Sequence, residues 1–273
     1  MSLSYNPDTQ QQLDALRARP AHAILLVGTK GIGLFATAKD LAGSALMEIV
    51  RPTNSKGEHD EVNGRIHADE IRLLYVHTKG KGKNRRCYII DNADKMNETA
   101  QNAFLKLLEE PVSGVQFILT AHSTDTLLPT VLSRLQRVTL KPLAHSQSAA
   151  LLDDVADPKI KSQIAFLAEG LPAEIVRLKT DTKYFEVHSQ YMRDAQVLVA
   201  GKSYEKIIVA FNYAADRSAA LELLSAAKII LKHLITRTPS PQAIARAAFL
   251  TATSDAIRAN GNVRLQLLRF VVQ

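Results

Sequence analysis

Cysteine is almost absent from the 273 residues: Cys87 stands alone. That excludes an intramolecular disulfide and any cysteine-rich zinc site. Long apolar runs are missing too, none approaching the ~20 residues that a membrane span requires. The opening MSLSYNPDTQQQ lacks the basic-then-apolar pattern of a secretory signal. No internal repeat or low-complexity tract interrupts the chain. These absences point to a cytoplasmic protein without membrane contact, and the length allows two or three domains. What is present is an ordinary apolar fraction of 46% and a net charge of +7, with a pI of about 9.4. The basic excess suits a nucleic-acid or other polyanionic partner, and equally a protein of mixed surface charge.

The first third reads as helix, strand, glycine-rich turn and helix. Asp8 to Arg19 places Leu13 and Leu16 on one helical face, and Pro20 ends the pattern. Ala23 to Val27 (AILLV) is a buried strand bounded by Gly28. GTKGIG follows, and then a helical pattern from Leu34 to about Val50. This order is the context of a phosphate-binding loop, G-x-x-x-x-G-K-[ST]. Gly28 and Gly33 hold its glycine positions, with Gly31 between them, but Leu34 takes the lysine position and Phe35 the hydroxyl position. Lysine would supply a charge-assisted bond to phosphate worth ~1.5–3 kcal/mol. The hydroxyl would ligate Mg²⁺. Leucine and phenylalanine do neither, and Lys30 lies too early to point from the helix's first turn. ATP hydrolysis at this loop is therefore not expected.

Residues 51–64 (RPTNSKGEHDEVNG) form a polar surface loop. His59 and His67 with Asp60 or Glu61 could be offered as metal ligands, but their spacing fits no closed tetrahedral site. Ile66 to Val76 reads as a short amphipathic helix. His77 to Arg86 (HTKGKGKNRR) gathers five positive charges around two glycines. It is either a contact for DNA phosphates or a solvated turn.

The stretch from Cys87 to Gln136 carries the densest information. Tyr88, Ile89 and Ile90 form a buried strand that stops at Asp91. Asn97 caps a helix whose Ala100, Ala103, Phe104, Leu107 and Leu108 share one face, and Pro111 ends it. Val115 to Leu119 is the next buried strand, so the unit is βαβ. A polar turn containing His122 then leads to a helix ending in Ser133-Arg134-Leu135. A Walker B strand ends in Asp-Glu, the glutamate orienting the attacking water; here Asp91 is followed by Asn92, and an amide cannot act as that base. Beyond Gln136, RVTLKPL reads as a last strand. From Lys183 onward only helical periodicity is left.

These fifty residues resemble the Walker B to sensor 1 to "SRC" region of the bacterial DNA polymerase III clamp-loader subunits, a branch of the AAA+ family, and within it the delta-prime branch. Ile66, Asp69, Ile71, Arg72 and Leu74 resemble the family's I-x-x-D-x-I-R-x-L segment, and Asn260, Asn262 and Leu265 its N-x-N-x-x-L ending. The resemblance implies an α/β then all-α chain: an AAA+ P-loop-type parallel sheet with flanking helices at 1–142, a small helical lid at 143–181, and a helical collar at 182–273. Ala173 would stand at the lid's sensor 2 position, with Arg177 a turn later. The four-cysteine zinc module common in the family has no counterpart here, so no zinc, and no productively bound ATP or Mg²⁺, is expected.

The resemblance further implies that Ser133 and Arg134 form a trans-acting arginine finger facing the ATP of a neighbouring subunit. The plain alternative is that Arg134 pairs with a surface carboxylate. Implied partners are gamma/tau-like ATPase subunits and a delta-like subunit, joined through the collar. The sliding clamp and primed DNA would be met through the complex. A self-contained helical bundle remains the alternative for the collar. A divergent active ATPase or another nucleotide-dependent DNA-binding protein remains the alternative for the whole.

Overall fold

The computed structural model describes residues 3–61, 63–79 and 84–272. By compactness the chain falls into two units, Met1–Asp154 with Ala168–Val176, and Val155–Leu167 with Arg177–Gln273. The segment 143–181, expected as one lid, contributes residues to both units.

The first unit is an α/β layer structure. Its elements run α1 (Pro7–Ala18), β1 (Ala23–Val27), α2 (Leu34–Ala42), β2 (Leu46–Val50), α3 (Ala68–Thr78), β3 (Arg86–Ile90), α4 (Glu98–Glu109), β4 (Val115–Ala121), α5 (Pro129–Leu132), β5 (Gln136–Thr139) and α6 (His145–Ala150). The sheet is five-stranded in the order β2-β3-β4-β1-β5, and every pairing is parallel. Parallel strands covered on both faces need apolar residues at every position, which is why AILLV and CYII read as unbroken runs. Alternate side chains serve opposite faces. Ala23, Leu25 and Val27 join Tyr88, Ile90, Phe104, Phe117 and Leu119 in one core. Ile24 and Leu26 join Leu13, Leu34, Ala38, Cys87, Ile89 and Ile118 in the other. Phe104 of α4 meets Phe117 of β4 edge-on, with ring centroids 5.2 Å apart. Each ring contributes roughly 1.5–3 kcal/mol by leaving water.

The helix expected to reach Val50 stops at Ala42. Gly43 takes φ 54°, a conformation that costs glycine nothing, and breaks the turn. Leu46–Val50 then runs as an edge strand hydrogen-bonded to β3. Asn97 caps α4 as expected, its Oδ1 accepting from the Ala100 N–H at 2.8 Å. Of the basic loop, residues 80–83 lie outside the described residues. Two of its charges are internal: Arg85 donates to Gln116 Oε1 and to the Leu41 carbonyl, and Arg86 to the Thr78 carbonyl.

The chain continues through α7 (Pro158–Ala168) and α8 (Pro172–Thr180) into α9 (Thr182–Ala200), α10 (Ser203–Asn212), α11 (Arg217–Arg237), α12 (Pro241–Arg258) and α13 (Val263–Val272). The second unit is all helical. Its core draws Leu198 from α9, Leu223 and Leu224 from α11, Leu250 and Ile257 from α12, and Leu267 and Phe270 from α13. The Asn260–Leu265 motif is turn chemistry. Asn260 sits at φ 65°, and Asn262 caps α13 by accepting from the Leu265 N–H at 3.1 Å. No helix among the described residues is long and apolar enough to cross a membrane.

Candidate functional site

The carboxyl ends of β1, β3 and β4 deliver Gly28, Asp91 and His122 to one edge of the sheet, where ligands bind in open α/β folds. The turn after β1 is shaped by its glycines. Gly31 and Gly33 take φ 86° and 93°, Gly33 serving as the N-cap of α2. The Gly31 carbonyl accepts from the N–H groups of Ala173 and Glu174, at 3.0 and 3.1 Å. A Cβ on Gly31 would lie 3.1 Å from the Glu174 Cβ. The start of α8 therefore lies on the loop, and Ala173, the expected sensor 2 position, lies beside Gly33 with a methyl that donates nothing. Leu34, in the lysine position, is 5% exposed and packs into the core on that face. His122 Nδ1 lies 3.0 Å from the Gly28 carbonyl oxygen, which can only accept. That contact fixes the proton on Nδ1 and makes His122 a strut between β4 and the loop.

Asp91 is 8% exposed and Asn92 6%. Thr120 Oγ1 donates to Asp91 Oδ1 at 2.7 Å and accepts from the Asn92 N–H at 2.9 Å, so one buried hydroxyl ties β4 to the end of β3. Asn92 takes φ 56°, a left-handed conformation that asparagine tolerates better than glutamate. Burial raises the Asp91 carboxyl above its ordinary value, opposed by the Thr120 hydroxyl and by Arg51. Arg51 Nε is 3.5 Å from Asp91 Oδ2, a Coulombic contact too long for a good hydrogen bond, and Nε makes none. The same guanidinium lies over the Phe35 ring, 4.2 Å from its centroid. Arg51 thus touches both residues that stand where a working site would share Mg²⁺. Its fixed charge compensates Asp91 and opposes a second cation there. The residues present do not fit Mg-ATP.

Arg134 lies just past α5, in a different setting. Gln101, 2% exposed on α4, holds the approach to it: Nε2 donates to the Thr126 carbonyl at 2.9 Å, and Oε1 accepts from the Leu128 N–H at 2.7 Å. Val131 anchors α5 in the core at 0% exposure. Ser133 Oγ donates to the Thr130 carbonyl at 3.0 Å, and Arg134 Nη1 donates to the same oxygen at 2.9 Å. Arg134 Nη2 pairs with Glu109 Oε1 at 3.0 Å, their side chains 39% and 51% exposed. An ion pair this open contributes about 0.2–1 kcal/mol. A surface carboxylate, the plain alternative partner for Arg134, is therefore present. Gln101, Arg51 and Glu109 escape the sequence reading, since each acts on a residue far from it along the chain.

The 51–65 loop is closed by its own backbone. Thr53 and Arg65 exchange N–H···O bonds at 3.0 Å, and Asn54 Oδ1 accepts from the N–H groups of Lys56 and Glu58. His59 Nδ1 faces the Pro52 carbonyl at 3.2 Å, and the Glu70 carboxylate accepts from the His67 N–H at 2.6 Å. Among the described residues no group of His, Cys, Asp and Glu is placed to hold a metal ion. Arg177 stacks on Tyr184, 3.7 Å from its centroid. Burial pushes the Cys87 thiol up to about 11, so it is no nucleophile near neutral pH.

Residues 47–144 match the family model described as DNA polymerase III, delta subunit. The chain is 27% identical over 225 residues to the DNA polymerase III subunit delta' of Bacillus subtilis, covering 75% of this chain and 65% of that protein. It is 29% identical over 228 residues to the subunit delta' of Pseudomonas aeruginosa, covering 73% and 66%. The chain thus spans a little under two thirds of the length of these relatives. A crystal structure of a DNA polymerase III gamma subunit-related protein from Thermotoga maritima superposes with a TM-score of 0.54 at 21% identity, over 96% of this chain and 97% of that one. At that identity the likeness shows the fold. By these comparisons the chain is similar to the delta' subunits of DNA polymerase III.

Proposed function

We propose that this chain acts in a clamp loader as a subunit that hydrolyses no ATP itself and offers Arg134 to the triphosphate held by a neighbouring subunit. One observation carries the reading. Ser133 and Arg134 stand exposed just past α5, while Leu34, Phe35 and Asn92 occupy the positions where the motifs of an ATPase carry lysine, a hydroxyl and glutamate. Guanidinium suits the role through its permanent charge and forked donors. In GTPases such a finger accelerates hydrolysis by roughly three to five orders of magnitude.

In this reading the chain carries no ATP, Mg²⁺ or zinc and works in the cytoplasm. It adjoins gamma/tau-like ATPase subunits and a delta-like subunit, and meets the sliding clamp and primed DNA through that assembly. Residues 1–142, 143–181 and 182–273 serve as AAA+ domain, lid and collar. The collar's part in assembly is supported by Tyr204, Ile207, Ile208 and Phe211, which expose apolar side chains at helical spacing along α10.

The test is Arg134→Ala in the reconstituted assembly with clamp and primed DNA. ATP turnover at the adjoining subunit's site should fall by about a thousandfold or more. Unchanged ATPase would overturn the reading in favour of a surface arginine paired with Glu109.

A further inference from the structure

Arg134 is not a loose side chain. Nη1 donates to the Thr130 carbonyl at 2.9 Å, with Ser133 Oγ a longer contact at 3.4 Å, and Nη2 forms an ion pair with Glu109 at 3.0 Å. The Arg134 side chain stays 39% exposed. The two anchors come from different elements. Thr130 belongs to α5, which just precedes the arginine, and Glu109 is the last residue of α4. A carboxylate at a helix C-terminus meets the negative end of the macrodipole, so Glu109 is poorly placed for the stability of α4. An arginine opposite it removes that conflict and is oriented in return.

We infer that Glu109 is a positioning residue for Arg134: it helps hold the guanidinium just past α5, with donors left over, so that a neighbour's triphosphate meets a pre-ordered cation. The inference rests on the arginine-finger reading above. A free arginine loses rotamer freedom when it engages a phosphate, and a pre-formed pair removes part of that loss beforehand. A bound γ-phosphate need not displace Glu109, because one guanidinium carries five N–H groups.

The experiment compares Glu109→Ala, Glu109→Gln, Arg134→Ala and the Glu109→Ala/Arg134→Ala pair in the full reconstituted assembly, measuring kcat and KM for ATP. Glu109→Ala should lower kcat about twofold to fivefold, the size an exposed pair can supply, with KM for ATP unchanged. Glu109→Gln, which keeps an acceptor, should recover part of the loss. The double variant should match Arg134→Ala alone, because Glu109 acts only through the arginine. Full activity in Glu109→Ala beside a collapse in Arg134→Ala overturns this inference and leaves the finger standing. Additive losses in the double variant overturn it as well, since Glu109 would then act elsewhere. An inert Arg134→Ala overturns the finger itself. Circular dichroism melts of each variant separate these outcomes from unfolding.

Discussion

The two ends of the βαβ unit between Arg86 and Arg134 use the same kinds of groups in opposite ways. At the Asp91 end polar groups engage the fold itself: the carboxylate meets the Thr120 hydroxyl and Arg51, Arg51 lies on Phe35, and the Gly31 carbonyl accepts from the start of α8. At the Arg134 end a guanidinium is fixed at two points and still faces solvent. A ligand arriving at the first end must break contacts the fold has made. One arriving at the second only adds to them. That asymmetry moves the expected chemistry from the chain's own cleft to its rim, and it can be attacked from both sides.

The largest effect belongs to the rim. Arg134→Ala should remove about three orders of magnitude from a neighbour's ATPase, yet change the chain's own stability by no more than about 1 kcal/mol. A paired measurement of stimulated ATPase and thermal unfolding checks both halves. A variant that melts early would place Arg134 with the structural groups and erase the contrast.

Next comes an attempt to rebuild the cleft. Leu34→Lys restores the loop lysine, but Leu34 is 5% exposed within an apolar cluster. Burying an amine there should cost about 2–4 kcal/mol and bring no nucleotide binding, because Phe35, Arg51 and Asn92 remain. Urea unfolding measures the cost, and titration calorimetry with Mg-ATP measures the binding. Micromolar binding by this variant would mean that a single side chain closes the cleft.

Thr120→Val tests the inward bonding directly. Valine keeps the shape and removes the hydroxyl that serves both the Asp91 carboxylate and the Asn92 N–H. Two buried groups lose a partner, and the loss should be about 2 kcal/mol, or roughly 5 °C in the thermal midpoint. No change would mean that Asp91 finds its compensation in Arg51 alone.

What the sequence discloses and what it hides follow one physical line. AILLV and CYII are legible because a strand buried on both faces must be apolar throughout, and α4 because Asn97 caps it and Pro111 follows it. Leu46–Val50 reads as the tail of a helix. It is an edge strand, half-buried and only five residues long, so neither periodicity nor composition separates it from the end of α2, and the stop signal is the single Gly43. At the site, the substitutions at Leu34, Phe35 and Asn92 can be seen because a motif fixes their spacing. Arg51 against Asp91, Gln101 beneath the turn and Glu109 against Arg134 cannot, since partners forty, twenty-five or more residues apart meet only in the fold.

The smallest effect is a proton at Asp91. Burial raises this carboxyl, so the folded chain holds its proton more tightly than the unfolded chain does. A group of that sign contributes stability that is fully present below the unfolded carboxylate range and is lost as pH rises through the raised folded value. Asp91→Asn does not titrate and still offers Oδ1 to the Thr120 hydroxyl. The stability difference between wild type and Asp91→Asn should therefore shift toward the wild type as pH is lowered from neutral to about 4, in urea titrations at matched ionic strength. A shift in the opposite direction would mean that Arg51 outweighs burial and that Asp91 is held as a well-paired anion. The cleft would then keep a charge ready for a metal, and its contrast with the Arg134 rim would narrow.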